Sequence, residues 1–199
     1  MLSSLSTLGM NLLNKNIQLD LSTLSDLYNL NFEAPIRTAG TTTHLSIGSA
    51  NQSLITKWVA SGNDCYLNNT NFTFAVNGFN QCIMFKSTAN AKTLTAVQFT
   101  IPNGSYYIQC QMASALNVNG PPINLQYSIN NGSSWTTILT KTPYKLASGT
   151  VDIRNINCLC TSSTFTIANN TTIRLRFSVS ANTAATAFSF IDDILFFRA

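Results

Sequence analysis

From residue 31 onward the chain is a series of short stretches in which every second residue is apolar, each ending in a cluster of Gly, Asn, Pro or Ser. Side chains of an extended strand alternate between two faces, so this pattern calls for sheets with one buried and one solvated face. The clearest case is Ile123-Asn-Leu-Gln-Tyr-Ser-Ile129, which turns at Asn130-Asn-Gly132 and resumes as Ser134-Trp-Thr-Thr-Ile-Leu139, the signature of a hairpin. Thr95 to Ile101 leads through Pro102-Asn-Gly104 into Ser105 to Met112, and Phe72 to Val76 stops at Asn77-Gly78 before Gln81 to Phe85. Thr172 to Val179 and Phe188 to Phe197 close the chain, and no convincing amphipathic helix interrupts the series. Roughly nine or ten strands with frequent turns predict an all-β fold, an antiparallel two-sheet jelly-roll β-sandwich.

Residues 1–30 differ from the rest. Leucines recur at Leu2, Leu5, Leu8, Leu12 and Leu13, then at Leu19, Leu21, Leu24, Leu27 and Leu30, among Ser, Asn and Thr, with a spacing between helical and alternating. Asp20 could cap a short helix over the residues that follow it. The segment is read as a short N-terminal arm or lead-in, with residues 31–199 as the sandwich domain; a first strand and helix of the same core is the other reading.

The 199 residues carry 11 Lys and Arg and 7 Asp and Glu, 9% in all, while Ser, Thr and Asn number 70, so polarity comes from neutral hydrogen-bonding groups. With 45% hydrophobic residues and a mean hydropathy of +0.12 the chain has the material for a core. Its net charge of +4 is dispersed without a basic run, which argues against nucleic acid as a partner. The opening ten residues hold no Lys or Arg and are broken by Ser and Asn, so a secretory signal is not expected, and no apolar run is long enough for a transmembrane helix. Cys65, Cys82, Cys110, Cys158 and Cys160 lack zinc-site spacing and are read as buried thiols, with a disulfide to Cys65 or Cys82 left open. Seven Asn-x-Ser/Thr triplets are what a chain this rich in those residues produces by chance.

Three stretches, in order, resemble the galactose-binding-like jelly rolls of carbohydrate-binding modules and MAM-type domains. Asn31-Phe-Glu-Ala-Pro35 with Ile55-Thr-Lys-Trp-Val59 looks like the opening strand and the tryptophan strand. Asn77-Gly-Phe-Asn-Gln-Cys-Ile-Met-Phe85, then Leu94 to Phe99 and Asn103-Gly-Ser-Tyr-Tyr-Ile-Gln109, resemble the glycine-led strand and the Gly-x-Tyr strand. Leu125-Gln-Tyr-Ser-Ile-Asn-Asn-Gly-Ser-Ser-Trp135 and Phe190-Ile-Asp-Asp-Ile-Leu195 are similar to the family's hairpin and closing strand. The resemblance implies a fold that hosts sugar binding, adhesion and pure structure alike. It also implies a structural calcium ion held by a glutamate near the first strand and an aspartate in the last, positions matched by Glu33 and by Asp192 or Asp193. Strand alternation puts Asp192 and Asp193 on opposite faces, with Phe190, Ile194 and Phe196 on the side of Asp192. A buried carboxylate needs compensation. Calcium is one source of it, and Arg174, Arg176 or backbone amides are the other.

Catalysis is not expected. His44 is the one histidine, no Gly-x-Ser-x-Gly elbow is present, and a diverging Asp192 and Asp193 do not form a glycosidase pair. Aromatics against which a sugar ring could stack are Trp58, Tyr66, Phe79, Trp135 and Tyr144. The leading expectation is a non-enzymatic surface or assembly protein, a virion structural component such as a minor capsid, fibre or spike subunit, self-associating or bound to neighbouring subunits and able to recognise glycan. The alternative is a carbohydrate-binding module of a secreted or cell-surface protein. Leucines left exposed on a monomeric arm would form an apolar patch. Deleting residues 1–28 should therefore convert a discrete oligomer to monomer in size-exclusion chromatography with light scattering; unchanged assembly contradicts the arm.

Overall fold

The computed structural model describes residues 45–46, 58–61, 65–69, 75–76, 81–86, 91–114, 120–145, 150–151, 156–181 and 188–199. These hold sixteen strands: β1 (Leu45–Ser46), β2 (Trp58–Ser61), β3 (Cys65–Asn69), β4 (Ala75–Val76), β5 (Gln81–Lys86), β6 (Lys92–Ala96), β7 (Phe99–Ile101) and β8 (Gly104–Ser114) in the first half. The second half adds β9 (Ile123–Ser128), β10 (Thr136–Lys141), β11 (Tyr144–Lys145), β12 (Thr150–Val151), β13 (Leu159–Thr161), β14 (Phe165–Ile167), β15 (Thr171–Val179) and β16 (Phe188–Arg198). Among the described residues no helix is long and apolar enough to cross a membrane. The expected arm, the helix after Asp20 and His44 lie outside the described residues.

The strands form two main sheets. The larger runs β1-β3-β5-β16-β8-β11, with β13 and β14 also on β8; the smaller runs β10-β9-β15-β6-β2, with β7 also on β15. Pairing is antiparallel except for β11 on β8 and the separate β12-β4 ribbon, which are parallel. The all-β, antiparallel-rich two-sheet architecture is the expected one, but the strands are shorter and more numerous. Thr95 to Ile101, read as one strand, divides into β6 and β7 at Val97-Gln98, both pieces pairing with β15. Of the run ending at Asn77-Gly78 the described residues are β4, which pairs with β12, while β5 pairs with β3 and β16.

The core lies between the sheets because the alternation is faithful. Ile173, Leu175, Phe177 and Val179 of β15 are buried there, as are Tyr106, Ile108, Cys110 and Met112 of β8. Burying each large apolar side chain contributes about 1.5–3 kcal/mol. At one end Tyr106 packs on Phe196 at 5.2 Å between centroids, and Tyr127 of the smaller sheet stacks on Phe165 of the larger at 4.6 Å. The Tyr106 hydroxyl donates to the Pro102 carbonyl at 2.8 Å, so its polar end is satisfied.

Two irregularities are as informative as the ladders. In the β16–β8 pair the register shifts by a bulge between Asp192 and Leu195. Ile191 therefore faces the inter-sheet core, and so do Ile194 and Phe196, whereas unbroken alternation would have grouped Asp192 with Ile194 and Phe196. That shared face is corrected: Asp192 is buried at 4% exposure, paired with Gln111 on the side of β16 away from the Ile191 cluster. The second irregularity separates β13 from β14 along β8. Ser162 spans it: its N–H donates to the Ile108 carbonyl at 2.8 Å and its Oγ accepts from the Ile108 N–H at 2.9 Å. Ser163 then donates from both its N–H and its Oγ to the Ile138 carbonyl of β10, tying the larger sheet to the smaller.

Cys65, Cys110, Cys158 and Cys160 are buried thiols. Cys110 and Cys160 are opposite one another across β8 and β13. Desolvation, reinforced for Cys110 by the neighbouring Cys160, raises both thiols above the ordinary range, which keeps them protonated as small apolar groups. Cys158 ends a 3-10 turn (Ile156–Cys158), and Cys160 lies in β13.

Replacing Ser162 by Ala leaves the buried Ile108 N–H without an acceptor, so Ser162→Ala is expected to lower unfolding free energy by about 1–3 kcal/mol. Urea denaturation reads this directly; a loss below about 0.5 kcal/mol would mean that the gap in the ladder is closed some other way.

Candidate functional site

The outer face of the smaller sheet is built from the positions that alternate with the core. On β15, with Leu175 and Phe177 buried, Arg174 and Arg176 face outward; on β6, with Leu94 and Ala96 buried, Thr93 and Thr95 do. These residues, with Ser61 from β2 and the loop before β10, line a groove of about 410 Å³, within the size range of small-molecule sites. Its described lining includes no carboxylate, imidazole or thiol.

One wall is the β9–β10 turn. Asn131 and Gly132 have φ of +57° and +88°, as a hairpin turn with two left-handed central residues requires, and the Ser133 N–H donates to the Asn130 carbonyl at 3.2 Å. Side chains brace it: the Asn130 Oδ1 accepts from the Ser134 N–H at 2.9 Å, and the Ser128 Oγ accepts from the Gly132 N–H at 2.8 Å. Gln98 donates to the Asn131 Oδ1 at 2.8 Å, joining the turn to the β6–β7 break. The turn delivers Trp135 to the groove, where the Arg176 guanidinium lies over the indole at 4.0 Å from its centroid. Arg176 Nε donates to Gln126 Oε1 at 2.9 Å, and partial burial lowers the basicity of this guanidinium. At the opposite end the Thr93 Oγ1 donates to the Ser61 Oγ at 2.8 Å.

Of the five aromatics singled out in the sequence, Trp135 is the one in the described lining of this groove. Trp58 is a core residue, 1% exposed and packed on Phe177 at 5.6 Å, and offers no face to a ligand; its strand presents Val59 outward instead. Tyr144 is partly exposed at 39%, but belongs to the parallel edge strand β11 of the larger sheet. Tyr66 is a position of β3 in that same sheet, and Phe79 lies outside the described residues. Arg174 and Arg176, considered as partners for the closing aspartates, line the outer face of the other sheet instead, which corrects that pairing. Their role in the groove was missed, although Ile173-Arg-Leu-Arg-Phe177 carries the signal in its alternation.

Of the calcium candidates, Asp192 is a buried carboxylate, Asp193 is the next position of β16, and Glu33 lies outside the described residues. Among the described residues no three His, Cys, Asp or Glu side chains gather.

No family model and no curated protein matches the chain. Solved structures similar to it include the carbohydrate-binding module TmCBM61 in complex with beta-1,4-galactotriose, 16% identical, covering 71% of this chain and 88% of that one at a TM-score of 0.45. The K1 cleaved adhesin domain of Lys-gingipain from Porphyromonas gingivalis W83 is 16% identical, covering 80% of this chain and 99% of that one at 0.49. The enzymatically active domain of Bacteriophage CBA120 tailspike protein 4 is 12% identical, covering 78% of this chain and 21% of that one at 0.44.

The groove wall depends on Gly132. A Cβ there would meet the Trp135 ring at 3.2 Å on a backbone of φ +88°. Gly132→Ala is expected to destabilise by about 1–2 kcal/mol and to shift the tryptophan emission as Trp135 moves. Unchanged melting and emission together would contradict the assignment of this wall.

Proposed function

We propose that the protein is a non-enzymatic carbohydrate-binding domain and that the Trp135 groove is its glycan site. The observation carrying this reading is the lining itself: Ser61, Thr93 and Thr95 hydroxyls, the Asn131 amide and two guanidiniums surround one indole on a rigid sheet face. Neutral hydroxyls and amides match the donors and acceptors of a sugar, and the braced turn limits the ordering cost of binding. The indole serves together with Arg176, which covers one of its faces, so the platform is a stacked Arg–Trp pair rather than the bare ring expected from the sequence.

The virion role drew its assembly argument from residues 1–30, which lie outside the described residues, and the groove favours the glycan reading over it. A surface location, on a virion or a cell, follows from that reading. A calcium clip at Asp192 belongs to the same proposal and requires Glu33 to join it.

A glycan array followed by calorimetry tests the site. Binding that Trp135→Ala weakens about 10-fold or more supports it, and binding unaffected by that change removes it from this groove. Repeating the thermal melt in EDTA reads the clip: a drop reversed by added calcium supports it, and an unchanged midpoint assigns the compensation of Asp192 to protein groups.

A further inference from the structure

The polar groups of the groove are unevenly distributed. Arg174 and Arg176 are two residues apart on one strand face, which places their backbones about 6.6 Å apart, and no carboxylate is among the described lining. Arg176 is held rigidly, its Nε committed to Gln126 at 2.9 Å and its planar face to Trp135 at 4.0 Å. That leaves the terminal Nη groups as the donors directed elsewhere. The Arg174 Nε is buried without a hydrogen-bond partner among the described residues. Two neighbouring cations with no carboxylate among the described lining repel one another and are partly removed from water, a cost that an anion entering the groove relieves. The planar fork of a guanidinium matches a carboxylate with two parallel hydrogen bonds, which a hydroxyl cannot reproduce. Away from this end the lining turns to the neutral hydroxyls of Ser61 and Thr93.

We infer that the groove selects an acidic sugar, one bearing a carboxylate, with Arg174 and Arg176 receiving the carboxylate and the Ser61–Thr93 end contacting ring hydroxyls. The inference rests on the glycan reading of the same groove and narrows its ligand class.

Calorimetry on the full chain at low salt tests it with two matched pairs of probes: trigalacturonate against galactotriose, and sialyllactose against lactose. The acidic member of at least one pair is expected to bind 10-fold or more tighter than its neutral partner, and the pair that responds identifies a uronate or a sialate as the source of the carboxylate. That margin should shrink as sodium chloride is raised from 50 to 500 mM and should fall at least 5-fold in Arg174→Gln. The Arg174 side chain braces no other element among the described residues, its Nε being unpartnered there, so this variant is expected to melt with the wild type; if it does not, Arg176→Lys serves as the second variant, keeping the charge but losing the planar fork. Equal or tighter binding of both neutral sugars, weakened by Trp135→Ala, overturns the inference and leaves the glycan reading standing. An acidic preference untouched by both arginine variants also overturns it, and binding of none of the four probes at millimolar concentration removes both.

Discussion

Strand β15 is the element on which the smaller sheet depends. It pairs with β9 along one edge and with β6 and β7 along the other, so two-thirds of that sheet's strands form or touch it. Its alternation is uninterrupted for nine residues: Ile173, Leu175, Phe177 and Val179 enter the core, and Arg174 and Arg176 leave it on the other side. Because a one-residue slip would exchange the two sets, burying guanidiniums and exposing phenylalanine, hydrophobic burial fixes the register of the whole sheet. The same constraint places the charged groups of the groove. Core and site are two faces of one strand.

The larger sheet is organised differently. Its central pair, β8 and β16, is long, and it departs from ideal alternation at the Asp192–Leu195 bulge. One extra residue lets Ile191, Ile194 and Phe196 all reach the core while Asp192 is buried on the other side. On the far side of β8, two short strands replace one long one, and Ser162 supplies with its side chain the acceptor that an interrupted ladder lacks. Both devices keep buried backbone groups paired where the regular pattern stops.

The groove illustrates how a flat sheet face acquires a wall. A flat face of Thr, Ser and Arg side chains would be an ordinary solvated surface. The β9–β10 turn raises a wall over it by bringing Trp135 against Arg176, and the left-handed residues Asn131 and Gly132 aim that turn. The indole orders the guanidinium, and the guanidinium shields the indole, so neither acts as an isolated group. Carboxylates are absent from the described lining, in keeping with a chain in which acids are scarce and polarity is mostly neutral.

Much of this architecture is legible in the residues alone. Period-two runs determined the all-β class, the β9–β10 hairpin with its Asn-Asn-Gly turn, and the strands β5, β8, β9, β15 and β16, because alternation and turn chemistry are local properties. The pairing of β4 with β12 rather than β5, the split of β6 from β7 and the bulge at Asp192 were not legible, since each is settled by contacts between distant segments. The site divides in the same way. The sequence marked Trp135 as an aromatic beside a turn, but it could not distinguish it from Trp58, an aromatic of equal size in another strand. Only packing decided that Trp58 fills the core on Phe177 and that Trp135 lies across Arg176, because the burial of a side chain depends on which sheet its strand joins and which face that sheet turns inward.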